Sequence, residues 1–284
     1  MQEVIDSKNL DDFLRYLLEE GKSKNTVKKY LCDVKQFIDF MKQCDRTDYD
    51  VELLGEYRRY LEVSYQISSA NSKISAINSY LKSRNYPGQG MKYFRVQKAG
   101  FRPDERHLTR EEYQRLLRSA KETHNKRLCL AMQTIAATGI RISELQFVTV
   151  ESLNTEEITI DLKGKIRKVL LPDKLCKVLA AYAKERRIRS GPIFVTQSGK
   201  PIDRSNLLHS MKSLCDRAEV DSRKVFPHNL RHLFAVTYYE NQKDVCHLAD
   251  ILGHSDVNTT RIYTIMSSRD YRQKIEDLGL LQEE

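Results

Sequence analysis

Residues 157–172 read EITIDLKGKIRKVLLP. Ile158, Ile160 and Leu162 alternate with polar residues, Lys163-Gly164-Lys165 supplies a turn, and Val169 to Leu171 lie in a return strand. That pattern predicts one antiparallel hairpin. Everything around it has helical texture. PDKLCKVLAAYAKERR and DRSNLLHSMKSLCDRA follow as helices, and TREEYQRLLRSA precedes as a helix capped by Thr109 with Glu112 at the capping-box position. The expected fold class is therefore mainly α, with a small antiparallel β-hairpin sheet in the second half of the chain.

Further upstream the texture breaks. Residues 85–109, NYPGQGMKYFRVQKAGFRPDERHLT, hold prolines, glycines and several Lys/Arg without helical period. Such a stretch reads as a basic linker. Before it, SKNTVKKYLCDVKQFIDFMKQ places Val27, Tyr30, Leu31, Val34, Phe37, Ile38 and Met41 on one helical stripe. Asn25 or Thr26 is the expected cap. DDFLRYLLEEG closes at Gly21, and VELLGEYRRYLEV and SSANSKISAINSYLKSR add two more helices. The predicted division is a four-helix bundle over 1–87, a linker over 88–106 and a second domain over 107–284.

Composition sets limits on function. The chain has 284 residues, 40% hydrophobic and 31% charged, enough for two folded domains. No stretch approaches the ~20 apolar residues of a membrane span, and the acidic start MQEVIDSKNLDDF has no apolar signal region. The six cysteines are scattered without a CxxC pair, which suits reduced thiols in a cytoplasm. Net charge is +9, pointing to a polyanionic partner, nucleic acid first. Residues 1–96 carry 16 Lys/Arg against 14 Asp/Glu, so most of that excess lies in the remainder.

Several chemistries are missing from the sequence. It has no phosphate-binding P-loop, no dinucleotide fingerprint and no serine nucleophile elbow. His228 and His232 have the i, i+4 spacing of helical zinc ligands, but Asn229 stands where the catalytic Glu of that motif is required. No acidic cluster suggests a metal-dependent nuclease, so no metal and no cofactor is expected.

Four segments of the second domain remain: ATGIRISEL with Arg141, LKGK with Lys163 and Lys165, FPHNLRHLFA with His228 and Arg231, and LGHSDVNTTRIY with His254 and Tyr263. Each alone has a bland reading. Tyr263 can be a packing residue, Arg141 a partner of Glu144, the histidines buried and satisfied, and the Lys-Gly-Lys run a solvated tip. Together, in this order and with nine residues from His254 to Tyr263, they resemble the tyrosine recombinase (phage integrase) family. Its idioms TG-x-R-x-SEL and H-x-LRH stand here unaltered. The likeness covers the whole chain, because the first half is similar to the family's helical core-binding domain.

The resemblance implies a site-specific recombinase that cuts duplex DNA by attack of Tyr263 on phosphorus, leaving a 3′-phosphotyrosyl link and a free 5′-hydroxyl. Arg141 and Arg231 would hold the non-bridging oxygens with planar donor forks, and His254 would add a further donor. Losing one such donor costs on the order of 3 kcal/mol. His228 would manage the nucleophile's proton, and Lys163 would protonate the leaving oxygen, with Lys165 as the alternative. Glu144 and His232 would support these groups, and Arg261 and Tyr271 would be surface or packing residues.

The same resemblance implies a two-domain DNA clamp on double-stranded core sites. Lys92, Arg95, Lys98 and Arg102 of the linker would be phosphate contacts. The assembly would be a homotetramer on DNA, monomeric or dimeric when free, coupled by exchange of the tail carrying Tyr271, Ile275, Leu278, Leu280 and Leu281. Accessory DNA-bending proteins are possible partners, and a membrane is not. The helical pattern begins near residue 8, so no arm-binding domain is expected. That favours a Xer-like resolvase, an invertase or a minimal element integrase. Two other readings use the same residues: a type IB topoisomerase-like relaxing enzyme, and a DNA-binding regulator with an inactive catalytic domain.

Overall fold

A computed structural model describes residues 7–46, 50–86, 88, 90–95, 107–162, 165–196, 199–254, 256–264, 272 and 275–278. The chain divides into two compact units, Met1–Lys98 and Ala99–Glu284.

The first unit contains α1 (Ser7–Glu19), α2 (Lys24–Gln43), α3 (Val51–Ser64) and α4 (Ile67–Ser83). The apolar stripes close on a core that includes Phe13, Leu17, Val34, Phe37, Leu53, Tyr57, Ile74 and Tyr80, all fully buried. The cap of α2 is Ser23, whose hydroxyl accepts from the Thr26 N–H, so the helix begins ahead of the expected Asn25 or Thr26 cap. Among the described residues of this unit, Asp33 is the buried charge. Asp33 receives Lys29 Nζ at 2.7 Å and Lys73 Nζ at 2.9 Å, so it is paired, as an interior carboxylate must be.

Residues 91–95, read from the sequence as part of the linker, are docked on α4. The side-chain amide of Asn78 bonds both backbone groups of Met91, at 2.7 and 3.0 Å, and Asn71 does the same for Phe94, at 2.8 and 2.9 Å. Met91 and Phe94 join the buried core, and the Arg58 guanidinium lies 4.0 Å over the Phe94 ring. Two asparagines on one helix face thus bond backbone groups of a segment outside helix and sheet. Lys92 and Arg95 remain exposed, while Lys98 and Arg102 lie outside the described residues.

The second unit follows as α5 (Arg110–Glu122), α6 (Lys126–Thr138), a 3₁₀ helix (Ile142–Phe147), α7 (Val150–Thr155), β1 (Glu157–Leu162), β2 (Lys165–Leu170), α8 (Asp173–Glu185), α9 (Arg204–Lys212), α10 (Cys215–Ala218), α11 (Pro227–Gln242), α12 (Val245–Leu252) and a second 3₁₀ helix (Val257–Tyr263). The capping box at the start of α5 is formed as expected, with Thr109 and Glu112 bonding each other's backbone N–H. The stretch read as one helix over 203–218 is divided into α9 and α10.

α6 is the centre of this unit. Leu128, Cys129, Leu130, Ala131, Met132 and Ile135 are all buried, a helix apolar on nearly every side and therefore surrounded. The sheet has two strands, paired Ile158↔Val169, Ile160↔Arg167 and Leu162↔Lys165. Lys165 is therefore a strand residue, not part of the turn. Ile158, Ile160 and Val169 face inward and Ile166 and Leu170 face out, which puts Arg167 on the inward register of β2.

Candidate active site

Arg141 caps the first 3₁₀ helix immediately after α6. Its backbone N–H donates to Glu144 Oε2 at 2.6 Å and its Nη1 to Glu144 Oε1 at 3.1 Å. Glu144 is only 1% exposed, while the Arg141 side chain is 44% exposed. The carboxylate thus fixes both ends of Arg141 and leaves the guanidinium open to solvent. A second arginine shares that carboxylate: Arg167 Nη2 donates to Glu144 Oε2 at 2.7 Å, and its Nη1 donates to the Ile251 carbonyl at 2.5 Å.

Arg231 sits in the second turn of α11, whose start is set by Pro227 at the first helical position. It is 2% exposed. Nη1 donates to the Gly139 carbonyl at 2.6 Å, and Nη2 to the Leu252 carbonyl at 2.7 Å. Gly139 has φ +66°, and a Cβ there would fall 2.5 Å from the Phe234 ring, so the backbone that receives Arg231 requires glycine. Burial, and then the nearby charge of Arg141, lower the Arg231 pKa to about 10, still charged at neutral pH.

His254 follows α12 and its left-handed cap Gly253, φ +65°. Its Nε2 lies 3.0 Å from Arg231 Nη2 and its Nδ1 lies 2.8 Å from Thr260 Oγ1. A guanidinium only donates, so Nε2 accepts and the ring proton sits on Nδ1, facing Thr260. Desolvation and then the positive charges of Arg231, Arg141 and Arg167 lower the His254 pKa to about 4. The ring is neutral at neutral pH. The ring N–H therefore faces Thr260, and the nitrogen beside Arg231 is an acceptor.

Thr260 belongs to the 3₁₀ helix that ends at Tyr263. The Tyr263 ring is stacked near His254, centroids 6.3 Å apart, and meets His232 edge-on at 5.1 Å. Tyr263 is 2% exposed and packs with Ala235, Leu248 and Leu252. The packing reading of this tyrosine is thus true of its ring, alongside its place beside His254. His232 also stacks face to face on His107, centroids 4.0 Å apart. His228, in the first turn of α11, is exposed; partial desolvation, then Arg231, Arg141 and Arg204, hold it below the ordinary histidine range.

Arg141, His228, Arg231, His254 and Tyr263 are therefore one electrostatic and hydrogen-bonded neighbourhood. Lys163 lies outside the described residues, and of Lys165 the backbone position in β2 is described. Arg167 was not singled out from the sequence. The signal was an arginine on the inward register of a strand, visible once the pairing across the hairpin is known. Among the described residues no group of three or more His, Cys, Asp or Glu side chains is arranged to hold a metal ion.

A buried arginine, an exposed arginine, two histidines and a tyrosine are thus gathered on or beside the ends of helices in the second unit. The chain belongs to the phage integrase family, the tyrosine recombinases, whose reaction is site-specific DNA recombination. The pattern of that family matches residues 106–269, and its N-terminal SAM-like domain matches residues 10–83.

The chain is 27% identical to the tyrosine recombinase XerA of Pyrococcus horikoshii over 99% of this chain and 97% of that protein. It is 28% identical to the tyrosine recombinase XerD of Oceanobacillus iheyensis over 90% and 92%. Among solved structures, a XerA recombinase is similar with 25% identity and a TM-score of 0.53 over 97% of this chain and 99% of that one. XerH bound to its difH substrate before cleavage shares the fold, with a TM-score of 0.71 at 20% identity over 99% and 90%.

Proposed function

We propose that this protein cuts and rejoins duplex DNA at short core sites through a 3′-phosphotyrosyl link to Tyr263. The observation that carries this is the chain of contacts from Arg231 through His254 and Thr260 to the helix bearing Tyr263, with Arg141 open to solvent beside it. In the reaction the Tyr263 Oη–P bond forms and the P–O5′ bond breaks. The phenol proton goes to His228, whose neutral ring can accept it, and Lys163 or Lys165 delivers a proton to the leaving 5′-oxygen. Arg141 and Arg231 neutralise the non-bridging oxygens, so the side chains supply the positive charge. His254 becomes a donor when the arriving phosphate anion favours its protonated form. The bond energy is kept in the phosphotyrosyl link, and rejoining is the same step in reverse.

The N-terminal bundle and the basic stretch 88–106 would hold the duplex beside the catalytic unit. The assembly on DNA would be a tetramer in a cytoplasm, each tail reaching a neighbour. Ile275 and Leu278 of that tail are exposed, as a segment awaiting a partner would be. The biological outcome would be integration and excision of a mobile element or resolution and inversion of DNA. Supercoiled plasmids carrying two copies of the core site provide the test. The expected products are deletion or inversion circles joined at the two sites. Relaxed plasmid with both sites unexchanged would instead make the protein a topoisomerase-like relaxing enzyme.

A further inference from the structure

We propose that Arg167 is a positioning residue for the phosphate-binding groups, holding Arg141 through Glu144 and His254 through the Ile251–Gly253 turn. This rests on the reading that Arg141 and His254 face the scissile phosphate. The Arg167 guanidinium is spread between two elements. One terminal nitrogen bonds the buried carboxylate that also grips Arg141; the other bonds the Ile251 carbonyl in the last turn of α12. Its stem crosses the backbone just before His254. A Cβ on Gly253 would fall 2.5 Å from Arg167 Cδ and 2.9 Å from Nε, so the side chain lies directly on that glycine. The Gly before His254 has two causes: its left-handed backbone and the arginine lying against it.

A simpler account is that Arg167 only balances the charge of Glu144. Two details argue against it. Arg141 already approaches that carboxylate with its backbone N–H and its guanidinium. The bond to the Ile251 carbonyl neutralises no charge; it fixes the turn that carries His254. Both terminal nitrogens bond groups that carry Arg141 and His254, and the side chain is 17% exposed, so Arg167 is placed to orient those groups. One planar fork reaching two acceptors in different elements is geometry that a lysine ammonium does not reproduce. Its charge also acts on both Arg231 and His254, lowering the pKa of each.

The test uses the full chain, a duplex carrying a site recovered by binding selection, and the scissile position mapped with the wild-type protein. Single-turnover adduct formation is measured for wild type, Arg167→Ala and Arg167→Lys on three substrates. These are ordinary DNA, DNA with a neutral methylphosphonate at the scissile position, and DNA with a 5′-bridging sulfur that leaves without a proton. Both variants are expected to bind ordinary DNA as wild type does and to cleave it roughly 10–100-fold more slowly, the loss typical of removing a hydrogen-bonding group that orients a metal-ligating residue.

On the methylphosphonate, which is neutral before attack and carries one negative charge fewer in the transition state, that deficit should shrink markedly. A deficit unchanged on all three substrates would mean a merely structural role and would overturn the proposal. So would rescue by the sulfur substrate alone, which would move Arg167 to leaving-group protonation, or no deficit on ordinary DNA. If Arg167→Ala melts early, Arg167→Lys carries the comparison. Tyr263→Phe run in parallel separates the two claims: an adduct from that variant breaks the underlying site assignment, whatever Arg167 does.

Discussion

Glu144 is a carboxylate buried between two arginines, with Arg141 at 3.1 Å and Arg167 at 2.7 Å. Removing it would leave two guanidiniums facing each other without a counter-charge. Breaking such a pair by deleting one partner costs about 3–5 kcal/mol, so Glu144→Ala should lower the melting temperature markedly in a thermal scan, well beyond the effect of an exposed Glu such as Glu122. His254 makes a sharper prediction. Its pKa of about 4 lies below the ordinary 6.5, so the unfolded chain binds the proton first as pH falls. The contribution of this residue to stability is present above pH 6.5 and is lost as pH drops toward 4.

Nitrogen-detected NMR of the free protein should report a neutral His254 ring with its proton on Nδ1 down to about pH 5, and a rise in pKa once DNA binds. An ordinary titration near 6.5 in the free protein would contradict the contact with Arg231. Arg141, Arg231, His254 and Tyr263 were legible in the sequence because each sits in a motif with fixed spacing. Arg167 was not, since nothing local marks an arginine as inward-facing until the register Ile160↔Arg167 is known. The tautomer of His254 was equally hidden, because it depends on a contact 23 residues away.

At the scale of elements, the helical stripes of α1 to α4 and the alternation over Glu157–Leu170 were sufficient, because period and turn chemistry are local properties. What they could not supply was α6: a helix apolar on nearly every side has little stripe to read, and its place at the centre of the second unit follows only from what surrounds it. The segment 91–95 was misread for the opposite reason. It has the composition of a linker, and its docking depends on Asn71 and Asn78, which are seven residues apart on one face of α4. Asn78→Ala should leave both backbone groups of Met91 without their partner. Hydrogen exchange should then speed up at the Met91 amide and leave α6 unaffected; unchanged protection at Met91 would contradict the docking. At the start of α5, Thr109→Ala should cost about 1 kcal/mol, read by denaturant titration.

For the whole molecule, the +9 charge and the phosphodiester chemistry make binding salt-dependent. Each phosphate neutralised contributes roughly −0.9 to the slope of log affinity against log salt. Lys92 and Arg95 project from the docked segment, so the double change Lys92→Ala with Arg95→Ala should flatten that slope by about 2 and leave sequence preference unaltered. The central claim concerns the stretch that ends at Tyr263, where a ring packed against Leu248 and Leu252 is also the group assigned to attack phosphorus. The most direct measurement is covalent capture on a nicked duplex carrying the selected core site, from which the cut fragment diffuses away. Wild type should accumulate a protein–DNA adduct at the 3′-phosphate with a free 5′-hydroxyl on the released strand, and Tyr263→Phe should give none; an undiminished adduct in that variant would place the nucleophile elsewhere.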